Sequence, residues 1–241
     1  MLTALSVEAR KLNRSLAAVL AIAAPSLIAV FAFFNVLRMD EVQPWEMWLQ
    51  SALAIWAFFM LPMSVTALTA LVAHMEHGPK TWDHLRALPL PRWKIYAAKA
   101  ICVLGLVAMM SAAVLGLTWL AVRAGVMIRP GLEPTGPLDL AGHVKTLALM
   151  FCAGLLLVAI QLWTALRYAN FVPGLVVGIG GTFFAVVATS AKQGVFLPWQ
   201  MPVNMLSSEA WRLATALGLG GGVGLLALIA MTVHLSRREV L

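Results

Sequence analysis

Six long runs of apolar residues, separated by short polar stretches, dominate the chain: 16–37, 48–73, 95–122, 145–166, 171–190 and 213–235. A bilayer core of about 30 Å takes roughly 20 helical residues to cross, and each run has about that length or more. None shows the two-residue alternation of a barrel strand, and an isolated segment in lipid satisfies its own backbone only as a helix. The pattern predicts an all-α integral membrane protein of six transmembrane helices, organised as a single transmembrane domain over residues 1–241. The first run is longer than the apolar core of a secretion signal and reads as a retained helix.

Ahead of that run, Leu2, Leu5, Ala9, Leu12 and Leu16 recur at helical spacing, while Glu8, Arg10, Lys11 and Arg14 take the other face. Residues 1–15 therefore read as an amphipathic helix in the headgroup layer. Residues 123–144, with Pro130, Gly131, Pro134, Gly136 and Pro137, predict a compact turn-rich excursion. Residues 191–212, with Phe196, Trp199 and Pro202, either dip into the interface or drape over the helix ends. Glycines of the last two runs, among them Gly174, Gly178, Gly220 and Gly224, are expected to let helix backbones approach closely.

Composition sharpens the picture. The chain is 61% hydrophobic and 11% charged, whereas a soluble domain carries about 25% charged residues, so no separate soluble domain fits. The net charge of +7 comes from Lys and Arg lying mostly between the runs. Eleven fall on the side of the N-terminus and of the loop between runs two and three, and six on the other. The positive-inside rule then puts both termini in the cytoplasm, and charge spent on orientation argues against nucleic acid.

The runs are poor in chemistry. Cys102 and Cys152 lie inside them and read as small packing residues. No acidic residue stands near the middle of a run, and Asn35, Ser64, Thr66, Thr69, Ser111, Thr118, Gln161 and Thr182 are expected to bond their own or neighbouring helices. A proton relay or intramembrane protease is disfavoured on that ground. His74, His77 and His84 share one stretch, but without the paired Cys or carboxylates of a zinc site. No phosphate-binding loop occurs. No catalytic, cofactor or metal residue is assigned.

The loop between the second and third runs stands out. Pro79 can open a helix, Trp82, Leu85 and Leu88 then share one face, and Pro89 and Pro91 close it. A helix over 79–88 with such a ridge is either a knob that another protein grips or an interfacial helix resting among headgroups.

In order, Glu76, Gly78, Thr81, Trp82, Leu88, Pro89, Arg92, Lys94, Tyr96 and Lys99 resemble the loop of permease subunits of ABC-2 type ABC transporters. The likeness is nearest to the lantibiotic-immunity and bacitracin-resistance-like branch. The layout is also similar: an interfacial helix, six spans and a hydrophobic outer segment before the last. Pro91 and Trp93 depart from the pattern, which commonly has a small polar residue before the basic stretch.

The resemblance implies a multi-pass permease of a bacterial cytoplasmic membrane, paired with a second copy or a related permease above two ABC ATPase subunits that bind ATP and magnesium. It makes 79–88 a short cytoplasmic coupling helix and assigns Glu76, Gly78, Thr81, Trp82, Leu85, Leu88, Pro89, Arg92 and Lys94 to ATPase coupling. Glu76 is expected to pair with Arg10, Lys11 or Arg14. The function so implied is export of a hydrophobic or amphipathic substrate, such as a peptide antibiotic or lipid-like drug. A reading from another class is a membrane scaffold or sensor that docks a cytoplasmic partner without moving a substrate.

Overall fold

The computed structural model describes residues 1–78, 82 and 90–237. Helix α1 (Leu2–Asn13) ends at Arg14, and Ser15 caps the next helix by accepting the Ala17 N–H at 3.2 Å, which starts α2 (Leu16–Arg38). Then follow α3 (Trp45–His77), α4 (Arg92–Ile128), α5 (Leu140–Ala153), α6 (Leu155–Arg167), α7 (Val172–Ala188), the short α8 (Met201–Asn204) and α9 (Ala210–Arg237). Among the described residues there is no strand, only an isolated bridge between Pro44 and Thr135.

Helices α2, α3, α4 and α9, of 23, 33, 37 and 28 residues, are each long and apolar enough to cross a membrane; α5 and α6, bent by 42° at Gly154, make a fifth if taken together. The chain is thus all-helical with four to five candidate spans. The run at 171–190 forms α7, whose 17 residues reach about 25 Å, a little less than the bilayer core.

Several expectations are corrected in detail. Residues 123–128 continue α4 rather than opening a turn, because no proline within α4 precedes Pro130 and Gly125 packs directly on Val36 of α2; the turns begin at Pro130, with Gly136 in the left-handed region at φ 79°. The 191–212 segment is neither a surface dip nor a drape throughout. Met201, Pro202, Val203 and Asn204 are all buried, and α8 is lodged among α5, α3 and α9.

Two helices are locally widened into π turns, Trp56–Met60 in α3 and Ala216–Val223 in α9. The first leads into Pro62, whose missing N–H leaves the Phe58 carbonyl without its α-helical partner. The second packs on the break at Gly154. A side chain at Gly220 would strike the Ala153 carbonyl, and one at Gly224 the Leu155–Leu156 backbone. Close approach is the role foreseen for these glycines.

The core runs the length of the bundle through Leu53, Trp56, Met110, Met150 and Leu162. The outward faces are apolar as well: Leu16, Val19, Ile22, Phe31 and Phe34 on α2, Val176, Phe183 and Phe184 on α7, and Leu225, Leu226 and Ile229 on α9 are exposed. Apolar surface on this scale suits lipid rather than water.

Candidate functional site

Where α1 crosses the ends of α3 and α4, four charged side chains form a closed network. Lys99, on the second turn of α4, donates from Nζ to Glu8 Oε2 and to Glu76 Oε1, both at 2.8 Å. Lys11 donates to the same Glu76 oxygen at 2.8 Å and to Glu8 Oε1 at 3.2 Å. Lys99 is fully buried at 0% exposure, Glu76 is at 1% and Glu8 at 4%. Two cations and two carboxylates balance, so each buried charge has an opposite one within hydrogen-bonding distance, the condition under which charge tolerates burial.

An aromatic stack closes one side. The Trp82 ring lies over Tyr96, with centroids 5.7 Å apart and planes inclined by 24°, and Lys99 Nζ is 5.9 Å from the Trp82 ring centroid. Trp82 Nε1 donates to His77 Nδ1 at 3.0 Å, which leaves the imidazole hydrogen on Nε2.

The junction joins three elements distant in sequence, α1, the end of α3 with the residue Trp82 beyond it, and the start of α4. Of the α1 basic groups expected to pair with Glu76, Lys11 does so, alongside Lys99. Arg10 and Arg14 are exposed and make no ion pair among the described residues. Of the other residues singled out by sequence, Arg92 is exposed at the start of α4, Lys94 rests over the Trp93 ring at 5.8 Å, and the Gly78 N–H extends α3 to the His74 carbonyl at 2.9 Å. Thr81, Leu85, Leu88 and Pro89, and with them all of the 79–88 helix except Trp82, lie outside the described residues.

Two readings change. Trp82 is no exposed ridge residue, being 8% exposed and turned into its own bundle. Glu8 does not share the outer polar face with Arg10, Lys11 and Arg14 but points inward with Leu12. The signal was available, since Glu8 stands three residues after Leu5 and four before Leu12 and so lies on the apolar stripe. Buried charge is present after all, at the helix ends rather than at mid-span.

Farther along the bundle the buried polar groups among the described residues are Ser, Thr, Asn and Gln side chains and His143, whose Nε2 stands 3.5 Å from Glu46 Oε2. Thr66, Thr69 and Thr182 donate to the carbonyls of Pro62, Val65 and Gly178, and Ser111 accepts from Trp56 Nε1 at 3.2 Å. The Gln161 amide, oriented to satisfy both ends, donates to the Gly174 carbonyl at 3.2 Å and accepts the Gly178 N–H at 3.0 Å. That clamps α6 to one turn of α7. These groups bond helices, as the sequence suggested, whereas the buried Thr118 hydroxyl has no hydrogen-bond partner among the described residues.

The Lys11 ammonium gives a pH prediction. Burial pushes its pKa down, but the hydrogen bond to Glu76 and the charges of Glu8 and Glu76 outweigh this, and the net shift is upward from 10.5. A raised lysine pKa stabilises the folded state fully below the ordinary value, and that contribution is lost only as pH rises through the raised one. The difference in melting temperature between the parent and a Lys11→Met protein is expected to stay constant up to pH 10.5 and to shrink above it. Thermal melts across that range check this.

The family described as ABC-2 family transporter protein matches residues 4–189, more than half of the chain. The chain belongs to that family. No curated protein and no solved structure matches it. As an ABC-2 family member it is a permease subunit of an ABC transporter, a membrane transport component that is not itself catalytic, and membership implies pairing with an ABC ATPase. The match begins within α1 and ends just after α7, so it takes in the charge junction and every element that builds it.

Proposed function

We propose that this permease forms half of an exporter for a hydrophobic or amphipathic substrate, belonging to the lantibiotic-immunity and bacitracin-resistance-like branch and driven by ATP hydrolysed on two separate ATPase subunits. Six helices cross a bacterial cytoplasmic membrane, with α7 as the short fifth and α5–α6 as a single bent fourth. Both termini face the cytoplasm, and α1 lies in the headgroup layer on that side. A second copy, or a related permease, completes the transport unit.

The observation that carries the reading is the junction of Glu8, Lys11, Glu76 and Lys99. It ties α1 to both helices that flank the 79–88 segment. In this reading that segment is the coupling helix seated in a groove of the ATPase. Trp82 then serves as its anchor to the membrane domain, packed on Tyr96. A displacement of the ATPase reaches α1, α3 and α4 together, because no one of them can shift without separating buried charges. Apart from the junction, no Asp, Glu, Lys or Arg is buried among the described residues, which suits a substrate taken from lipid rather than an ion-coupled one.

The test is affinity purification in mild detergent, with mass spectrometry of what is retained, for the parent and a Trp82→Ala, Leu85→Ala variant. An ABC ATPase is expected with the parent and not with the variant, both inserting to equal levels. A non-ATPase partner with both proteins would replace this reading with that of a scaffold or sensor.

A further inference from the structure

A groove of about 450 Å³ opens between α1, α2 and α4, close to the charge junction but separate from it. Ala9 and Asn13 line it from α1, Ile22 from α2, and Cys102, Gly105 and Met109 from α4. Of its full lining only Asn13 and Cys102 carry polar side-chain atoms. Gly105 faces open space, with nothing within 4 Å of where a Cβ would stand. On α1 Arg10 directly follows Ala9, and Arg14 directly follows Asn13 as the C-cap of the helix. Both arginines are exposed and, unlike Lys11, have no carboxylate partner among the described residues.

An apolar slot with an exposed arginine next in sequence to each of two of its lining residues, Ala9 and Asn13, matches a molecule with an apolar tail and an anionic head. We propose that the groove holds an acyl chain of an anionic phospholipid whose phosphate rests on Arg10 and Arg14. Guanidinium groups suit this because their paired N–H donors fit phosphate oxygens, and a headgroup-level helix keeps them at phosphate depth. The lipid fills a space that protein side chains leave empty and steadies α1 against α2 and α4. The inference rests on α1 lying at the membrane surface. ATPase capture, which tests the transporter reading, does not depend on the groove, so the two can fail separately.

Native mass spectrometry of the detergent-purified chain, with phosphatidylglycerol or phosphatidylcholine of identical acyl chains, tests the proposal. The parent is expected to retain one phosphatidylglycerol at least about tenfold more strongly than phosphatidylcholine, given two surface arginines. A Gly105→Leu variant fills the groove and is expected to lose that adduct. Gly116→Leu is the control: it lies on the same helix, also faces open space and does not line the groove, so its adduct should match the parent's. An Arg10→Gln, Arg14→Gln variant, changed only at exposed positions, should retain the two lipids equally. Equal retention of both lipids by the parent, or a Gly105→Leu adduct as strong as the parent's, would overturn the proposal.

Discussion

Replacing Lys99 with methionine is expected to lower the stability of the permease by about 3–5 kcal/mol, the usual consequence of removing one member of a buried ion pair. Lys99 is fully buried and bonds both carboxylates of the junction at 2.8 Å. Without it, Glu8 and Glu76 face each other across the same space with only Lys11 between them. A melting temperature lowered by roughly 10 °C is the expected reading. Removing Glu8 at the same time restores the balance of charge and leaves the Lys11–Glu76 pair intact. The Glu8→Gln, Lys99→Met double variant should therefore be more stable than the sum of the single effects predicts, with a coupling of about 1–3 kcal/mol. Additive losses would show that the four groups do not act as a unit.

The second large effect is at the break between α5 and α6. Gly220→Leu should cost about 3 kcal/mol or more, because the atoms that a new Cβ meets are the Ala153 backbone, which has no rotamer to yield. The same change at Gly218 or Gly222, two residues to either side on the same helix, meets nothing within 4 Å. Those variants should melt at or slightly above the parent temperature, since leucine favours a helix over glycine by roughly 0.5–1 kcal/mol. Thermal melts of the three proteins in one detergent decide it. Equal melting temperatures would contradict the packing role of Gly220.

The long helices were legible because lipid imposes a simple demand: α2, α3 and α9 begin and end within four residues of the runs that predict them, while α4 continues six residues beyond its run. What interrupts the helices was not. Gly154 sits in an apolar run where a glycine that bends a helix and one that merely packs look alike, and the π turns at Trp56–Met60 and Ala216–Val223 leave the apolar pattern unbroken. The burial of α8 escaped notice because Pro202 and Trp199 mark an interfacial loop as readily as a plug.

For the junction, the loop motif pointed to Glu76 and Lys99, and charge sign pointed to Lys11. Glu8 was misplaced because its charge was weighed above its place on the stripe with Leu5 and Leu12. His77 was considered only as a metal ligand, whereas its Nδ1 accepts from Trp82. That contact depends on how the chain turns after α3, which spacing along a sequence does not specify.

A junction that passes motion between the ATPase and the membrane helices, as proposed, is tested most directly by ATP turnover of the ATPase reconstituted in nanodiscs with the parent or with Glu76→Gln. Glu76→Gln keeps the shape of the side chain and removes the charge that Lys11 and Lys99 share. With Glu76→Gln the ATPase is expected to bind still while its permease-dependent turnover falls by about tenfold, the equivalent of weakening one charged contact by roughly 1.4 kcal/mol. Turnover equal to the parent's, with equal ATPase bound, would contradict it.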